Sequence, residues 1–206
     1  MNILQLPKDK NGKTEIEFLR EYDVTKYFRP SVTVDAVLFY PHADGVKILM
    51  VERGGHPFIG KYALPGGFVE RDESCEAAVA RELFEETGVA DVPLRQLLSV
   101  STPDRDPRWR NITVVYCGKA DESRVAVAGD DAAAVKWFFV KTPNVGELVF
   151  ECDDRKFACK LDVARDAFGA VDINATRIAD RGKTAFDHAK IVYYLIDALR
   201  KGEIRL

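Results

Sequence analysis

Apolar residues recur along this chain with two different periods. Residues 31–40 and 46–51 are short apolar runs rich in Val, Leu and Phe, separated by the turn signal Pro41-His42-Ala43-Asp44-Gly45. This pattern predicts a buried hairpin. Residues 94–100, 112–117 and 135–140 read as further strands. A helical period appears twice. Asp72 is a plausible N-cap, Val79, Ala80, Leu83 and Phe84 supply an apolar side, and Gly88 ends the segment. A closing helix starts near Phe186-Asp187 and stops before Gly202, with Ile191, Leu195, Ala198 and Leu199 on one stripe. Strands around one strong helix, with a second helix at the end, predict an α/β fold: a mixed central sheet covered on both faces.

Two regions fit this plan less well. Residues 1–30 read as an N-terminal extension with a turn at Lys10-Asn11-Gly12-Lys13. Residues 144–181 read as an atypical insertion, in which 149–152 and 157–161 form a hairpin. The remaining residues, 31–206, are expected to form one domain.

Composition narrows the function classes. The 206 residues are 47% hydrophobic and 31% charged, the balance of a soluble globular chain. No apolar run approaches the ~20 residues of a membrane span, and the first residues lack the charged-then-apolar order of a secretory signal. A formal net charge of −3 argues against broad capture of nucleic acid. The four cysteines form no CxxC pair, so reduced structural thiols in a cytoplasmic protein are expected. Cys152 and Cys159 are the pair that a hairpin could set face to face.

The chemistry concentrates in Arg81-Glu82-Leu83-Phe84-Glu85-Glu86-Thr87-Gly88. Glu82, Glu85 and Glu86 are three and four residues apart, which brings their side chains toward one helix face. Like charges so placed repel by about 0.2–0.5 kcal/mol per pair. A solvated acidic face tolerates that cost. A divalent ion turns it into attraction, and hard carboxylate oxygens suit Mg²⁺ or Mn²⁺. Upstream, Pro65-Gly66-Gly67 allows a tight backbone path close to a ligand.

Gly67, Glu73, Arg81-Glu82-Leu83, Glu85-Glu86 and Gly88-Val89 are spaced as G-x5-E-x7-R-E-U-x-E-E-x-G-U over 23 residues, U being a bulky aliphatic. This resembles the complete signature of the Nudix hydrolases, which implies a Nudix-type α/β/α sandwich and metal-dependent cleavage of a diphosphate in a nucleoside diphosphate derivative. The resemblance implies that the Gly66 carbonyl, Glu82 and Glu86 hold metal, with Glu85 on a second ion or orienting water. Gly67, Glu73 and Arg81 are then supporting residues. The general base stays open between Glu82 and a loop carboxylate, Asp131 before Asp130, with Glu151 and Asp153 further on.

Arg105-Asp106-Pro107-Arg108 ahead of a strand resembles the ADP-ribose pyrophosphatase-like branch, as do Arg53-Gly54 and Ala185-Phe186-Asp187-His188-Ala189. Guanidinium groups grip phosphate bidentately, so Arg53, Arg105 and Arg108 are expected on the substrate. Tyr62 and Trp109 stand where that branch more often has Trp and Gly. Each is a candidate base-stacking ring or simply a wall. The implied reaction is ADP-ribose to AMP and ribose 5-phosphate. NADH, a nucleotide sugar or a dinucleoside polyphosphate is the alternative substrate, and a non-catalytic ADP-ribose sensor is the rival of another class. Sensors carry a further DNA-binding domain, and the eighteen or so residues after His188 are too few for one. A small-molecule nucleotide is thus the expected partner, with no nucleic acid or membrane, and the resemblance admits a homodimer.

Overall fold

The computed structural model describes residues 6–42, 45–120, 132–153 and 155–204. Its strands are β1 (Ser31–His42), β2 (Gly45–Arg53), β3 (Tyr62–Ala63), β4 (Gly66–Phe68), β5 (Arg95–Val100), β6 (Asn111–Lys119), β7 (Ala132–Lys141), β8 (Glu147–Cys152), β9 (Arg155–Asp162) and β10 (Arg177–Asp180). The helices are α1 (Glu15–Glu21), α2 (Cys75–Thr87) and α3 (His188–Arg200). One sheet runs β10-β9-β8-β7-β2-β1-β6-β5, with β3 added to β2 and β4 to β1. It is mixed because β1 and β6 are parallel from Ser31↔Asn111 to Phe39↔Lys119, whereas the other pairs are antiparallel.

Alternation along β1 builds both faces of the core, because successive side chains point to opposite sides. Val34, Ala36 and Leu38 pack with Ala78, Val79 and Leu83 of α2. Val37 and Phe39 join Ile48, Met50 and Phe138 beneath Ile191, Leu195 and Ala198 of α3. The sheet is therefore sandwiched between the two helices, the α/β/α arrangement the residue pattern predicts.

Capping places α2 two residues later than expected. Ser74, not Asp72, is the N-cap, and its hydroxyl accepts from the Ala77 N–H. Gly88 closes the helix at φ 68°, where its N–H donates to the Phe84 carbonyl. In α3, Asp187 is the N-cap by position but makes no cap bond, because its carboxylate is engaged by an arginine described below. Helix α1 was not expected. It starts at a capping box in which Thr14 and Glu17 satisfy each other's backbone N–H groups.

The hairpin expected within 144–181 is present as β8 and β9, and β10 continues the sheet beyond them. Its register separates the two cysteines: Cys152 lies opposite Arg155 and Cys159 opposite Leu148. All four cysteines are free thiols, which corrects the facing pair. No helix among the described residues is long and apolar enough to cross a membrane.

Candidate active site

The turn between β3 and β4 is pinned from three sides. The Ala36 N–H of β1 donates to the Pro65 carbonyl at 2.8 Å. The Leu64 N–H donates to His188 Nδ1 of α3 at 2.7 Å. The Gly66 N–H donates to the Glu86 carboxylate of α2 at 2.9 Å. His188 is buried and accepts at Nδ1, so its ring proton sits on Nε2, 3.4 Å from Asp35. Burial holds this imidazole below its ordinary pKa. His188 thus serves as a brace for the turn.

Glycine is required at one position of this turn and makes room for a side chain at the next. A Cβ on Gly66 would run into the Val34 carbonyl and the Asp35 backbone. A Cβ on Gly67 would fall where the Glu82 carboxylate lies. The glutamate and the turn therefore share one small volume, with the Glu86 carboxylate bonded to the neighbouring residue. Burial raises the Glu82 pKa and pushes Glu86 up to about 7. For Glu86 the nearby Glu82 and Asp35 add to the rise, against the Gly66 N–H and Arg53.

Arg81 organises the flank. Its guanidinium donates to Glu73 at 2.7 Å, Glu82 at 2.9 Å, Glu85 at 3.0 Å and the Phe68 carbonyl at 3.2 Å. This pairing holds Glu73 below the usual carboxylate range. Glu85 is half exposed on the Arg81 side, so the three glutamates divide: Glu82 and Glu86 line the cleft, and Glu85 stands beside it.

The cleft has a volume of about 470 Å³. Arg53 and Arg108 line the same cleft, both over the Phe186 ring, at 4.9 and 5.6 Å. Arg108 also lies 5.5 Å from the Phe68 ring and is paired with Asp106 at 2.7 Å. Phe186 holds a left-handed φ of 46° and packs edge-on against Phe58. Arg105 reaches the same cleft by its edge only. Its guanidinium is bonded twice to Asp187, at 2.8 and 3.1 Å, lies 3.5 Å from Asp35, and is 4% exposed. Phe68 and Phe186 lie in segments that resemble the branch but carry no assigned role in the sequence, and Asp35 has no motif to mark it. The one available signal was an acid set in the apolar run of β1.

Other expected residues lie elsewhere. Asp130 and Asp131 fall outside the described residues. Glu151 pairs with Lys141 and Lys156, and Asp153 with Lys136, away from the cleft lining. Tyr62 is buried and stacks on Phe157, a wall rather than an open base platform. Trp109 is exposed beside Phe28.

The donor set suits a hard divalent ion. It offers carboxylate and carbonyl oxygens, without thiolate or imidazole, and both carboxylates are only partly exposed.

Residues 29–156 match the family model described as the NUDIX domain. The chain belongs to the Nudix hydrolase family. An ADP-ribose pyrophosphatase of Methanocaldococcus jannaschii is 39% identical over 140 residues, covering 66% of this chain and 78% of that protein. An ADPR responsive transcriptional repressor of Acinetobacter baylyi is 37% identical over 108 residues, which are 52% of this chain and 43% of the repressor. Among solved structures, a MutT/nudix family protein from Enterococcus faecalis superposes with a TM-score of 0.74 at 34% identity, covering 92% of this chain and 70% of that one. The NUDIX domain of Shewanella oneidensis NrtR, complexed with ADP ribose, gives a TM-score of 0.55 at 38% identity over 61% of this chain and 82% of that one. This Nudix chain is a pyrophosphohydrolase of the branch that resembles ADP-ribose pyrophosphatases.

Proposed function

We propose that this enzyme hydrolyses ADP-ribose to AMP and ribose 5-phosphate with Mg²⁺ or Mn²⁺. The observation that carries the reading is that one cleft is lined both by the Glu82 and Glu86 carboxylates and by the Arg53 and Arg108 guanidiniums. A diphosphate fits such a cleft when the guanidiniums and an ion held by the carboxylates both reach it. Glu82, Glu86 and the Gly66 carbonyl would hold the ion, and Glu85 would reach it from the flank. Among the described residues no three His, Cys, Asp or Glu side chains converge into a cage, so a bound ion would leave positions open for water and substrate phosphate, which suits Mg²⁺. The bound ion supplies charge neutralisation and a more acidic water.

The protein's part is positioning. Arg53 and Arg108 take the phosphates, Phe68 and Phe186 border the nucleoside or sugar, and the braced turn keeps Glu82 and Glu86 in register. The proton of the attacking water goes to a carboxylate oxygen, that of Glu82 or of Asp131. We read residues 31–206 as the catalytic unit, with 1–30 as its extension and 144–181 as an insertion. The ADP-ribose-bound Shewanella domain and the Methanocaldococcus enzyme support the substrate.

The test offers purified protein and Mg²⁺ a panel of ADP-ribose, NADH, nucleotide sugars and dinucleoside polyphosphates. Turnover of ADP-ribose well above the others is expected. An inert ADP-ribose beside rapid cleavage of another compound overturns the substrate, and binding without cleavage of any compound favours a sensor.

A further inference from the structure

A second cleft of about 640 Å³ opens behind the first, and Arg105 and Phe186 are the wall between them. We propose that it is a binding site for a phosphomonoester, distinct from the catalytic cleft. Three cations that line it form no salt bridge among the described residues. Lys190 is 4% exposed, and among the described residues its ammonium hydrogen-bonds to the Thr176 carbonyl at 3.3 Å and the Thr102 hydroxyl at 3.5 Å. Arg181 lies over the Phe58 ring at 5.0 Å, and its buried Nη1 has no hydrogen-bond partner among the described residues. Arg177 is exposed at the rim and makes no ion pair among the described residues. Of the acids that line this cleft, Asp187 is committed to Arg105, which leaves Asp104 as a counter-charge, with Asp172 acting on Lys190 from outside the lining.

A buried ammonium that hydrogen-bonds to neutral oxygens, with Asp187, Asp104 and Asp172 acting on it without a salt bridge, is costly. An anion removes that cost. Asn174 is oriented to help, because its Oδ1 accepts from the Ser101 N–H at 3.0 Å and from the Thr102 hydroxyl at 3.3 Å, which leaves its NH₂ to donate. Three cations and an amide match a phosphate dianion, for which charge-assisted bonds are the strong ones. The volume falls in the range of small-molecule sites and exceeds what a bare phosphate fills, so the ligand carries an organic part such as a sugar.

The test is thermal unfolding of the full chain in chelator, at constant ionic strength, titrated with inorganic phosphate or ribose 5-phosphate. Both are expected to raise the melting temperature saturably, ribose 5-phosphate at roughly tenfold lower concentration. Equal potency of the two would assign the same site to free phosphate. Lys190→Met should melt higher than the parent without ligand and lose the response. Arg177→Ala, at an exposed position, should fold normally and weaken binding on the order of tenfold. Glu86→Gln, in the other cleft, should keep the response. Absence of any shift, an equal shift in Lys190→Met and Arg177→Ala, or its loss in Glu86→Gln would overturn the proposal.

Discussion

The Gly66 N–H donates to the Glu86 carboxylate at 2.9 Å across twenty residues of chain, so the glycine turn and the acidic helix are one unit. Glu86→Gln keeps an acceptor for that bond and removes the charge. Its turnover with Mg²⁺ should drop about a hundredfold or more, since several kcal/mol of charge stabilisation is lost. Steady-state kinetics beside circular dichroism will check this: native spectra with parental rates would remove Glu86 from the mechanism.

The same carboxylate sets a pH dependence. Its pKa is about 7 in the fold against an ordinary 4.5. Between those values the folded chain holds a proton that the unfolded chain has released, so stability falls as pH rises through the window. Urea midpoints in chelator should decline from pH 4.5 to 7, and Glu86→Gln should flatten the decline. A midpoint rising over that range in the parent would contradict the assignment.

Adjacent glycines should answer differently to alanine. Gly66→Ala meets backbone at Val34 and Asp35, where nothing flexible gives way, and should cost roughly 1–3 kcal/mol of stability. Gly67→Ala meets the end of the Glu82 side chain. It should fold with little loss but need about 10–100-fold more metal for half-maximal rate. Denaturant unfolding and a Mg²⁺ titration of activity separate the two effects.

Asp187→Ala would leave the Arg105 guanidinium buried with only the more distant Asp35 for compensation. A loss of roughly 3–5 kcal/mol is expected. The double variant Asp187→Leu, Arg105→Met should recover much of it, and a double-mutant cycle by urea unfolding measures the coupling.

Much of this architecture was legible because it is local. Gly88 marks the end of α2 by its cap chemistry, whereas the N-cap expected at Asp72 falls at Ser74, and the alternation in β1 already assigns two faces. Glu82 and Glu86 are one helical turn apart and stay together. Glu85 departs because a single helical step rotates a side chain by about 100°, enough to hand it to Arg81. Arg105 reads as a phosphate grip in isolation. Its engagement comes from Asp187, 82 residues away, and no local pattern carries that. The capping box at Thr14 was readable, though the short helix after it buries none of its residues. Strand β10 is brief and mostly exposed, so neither period nor apolarity marks it.

Strands β8, β9 and β10 have a bearing on how far this chain can be shortened. They continue the sheet directly from β7, and β7 hydrogen-bonds on its other side to β2, which carries Arg53 to the cleft. Excising the added strands would bare a ladder of unsatisfied amides next to the catalytic framework. Such a rim recruits any passing strand, so a trimmed enzyme would fail first by self-association, before its chemistry was touched.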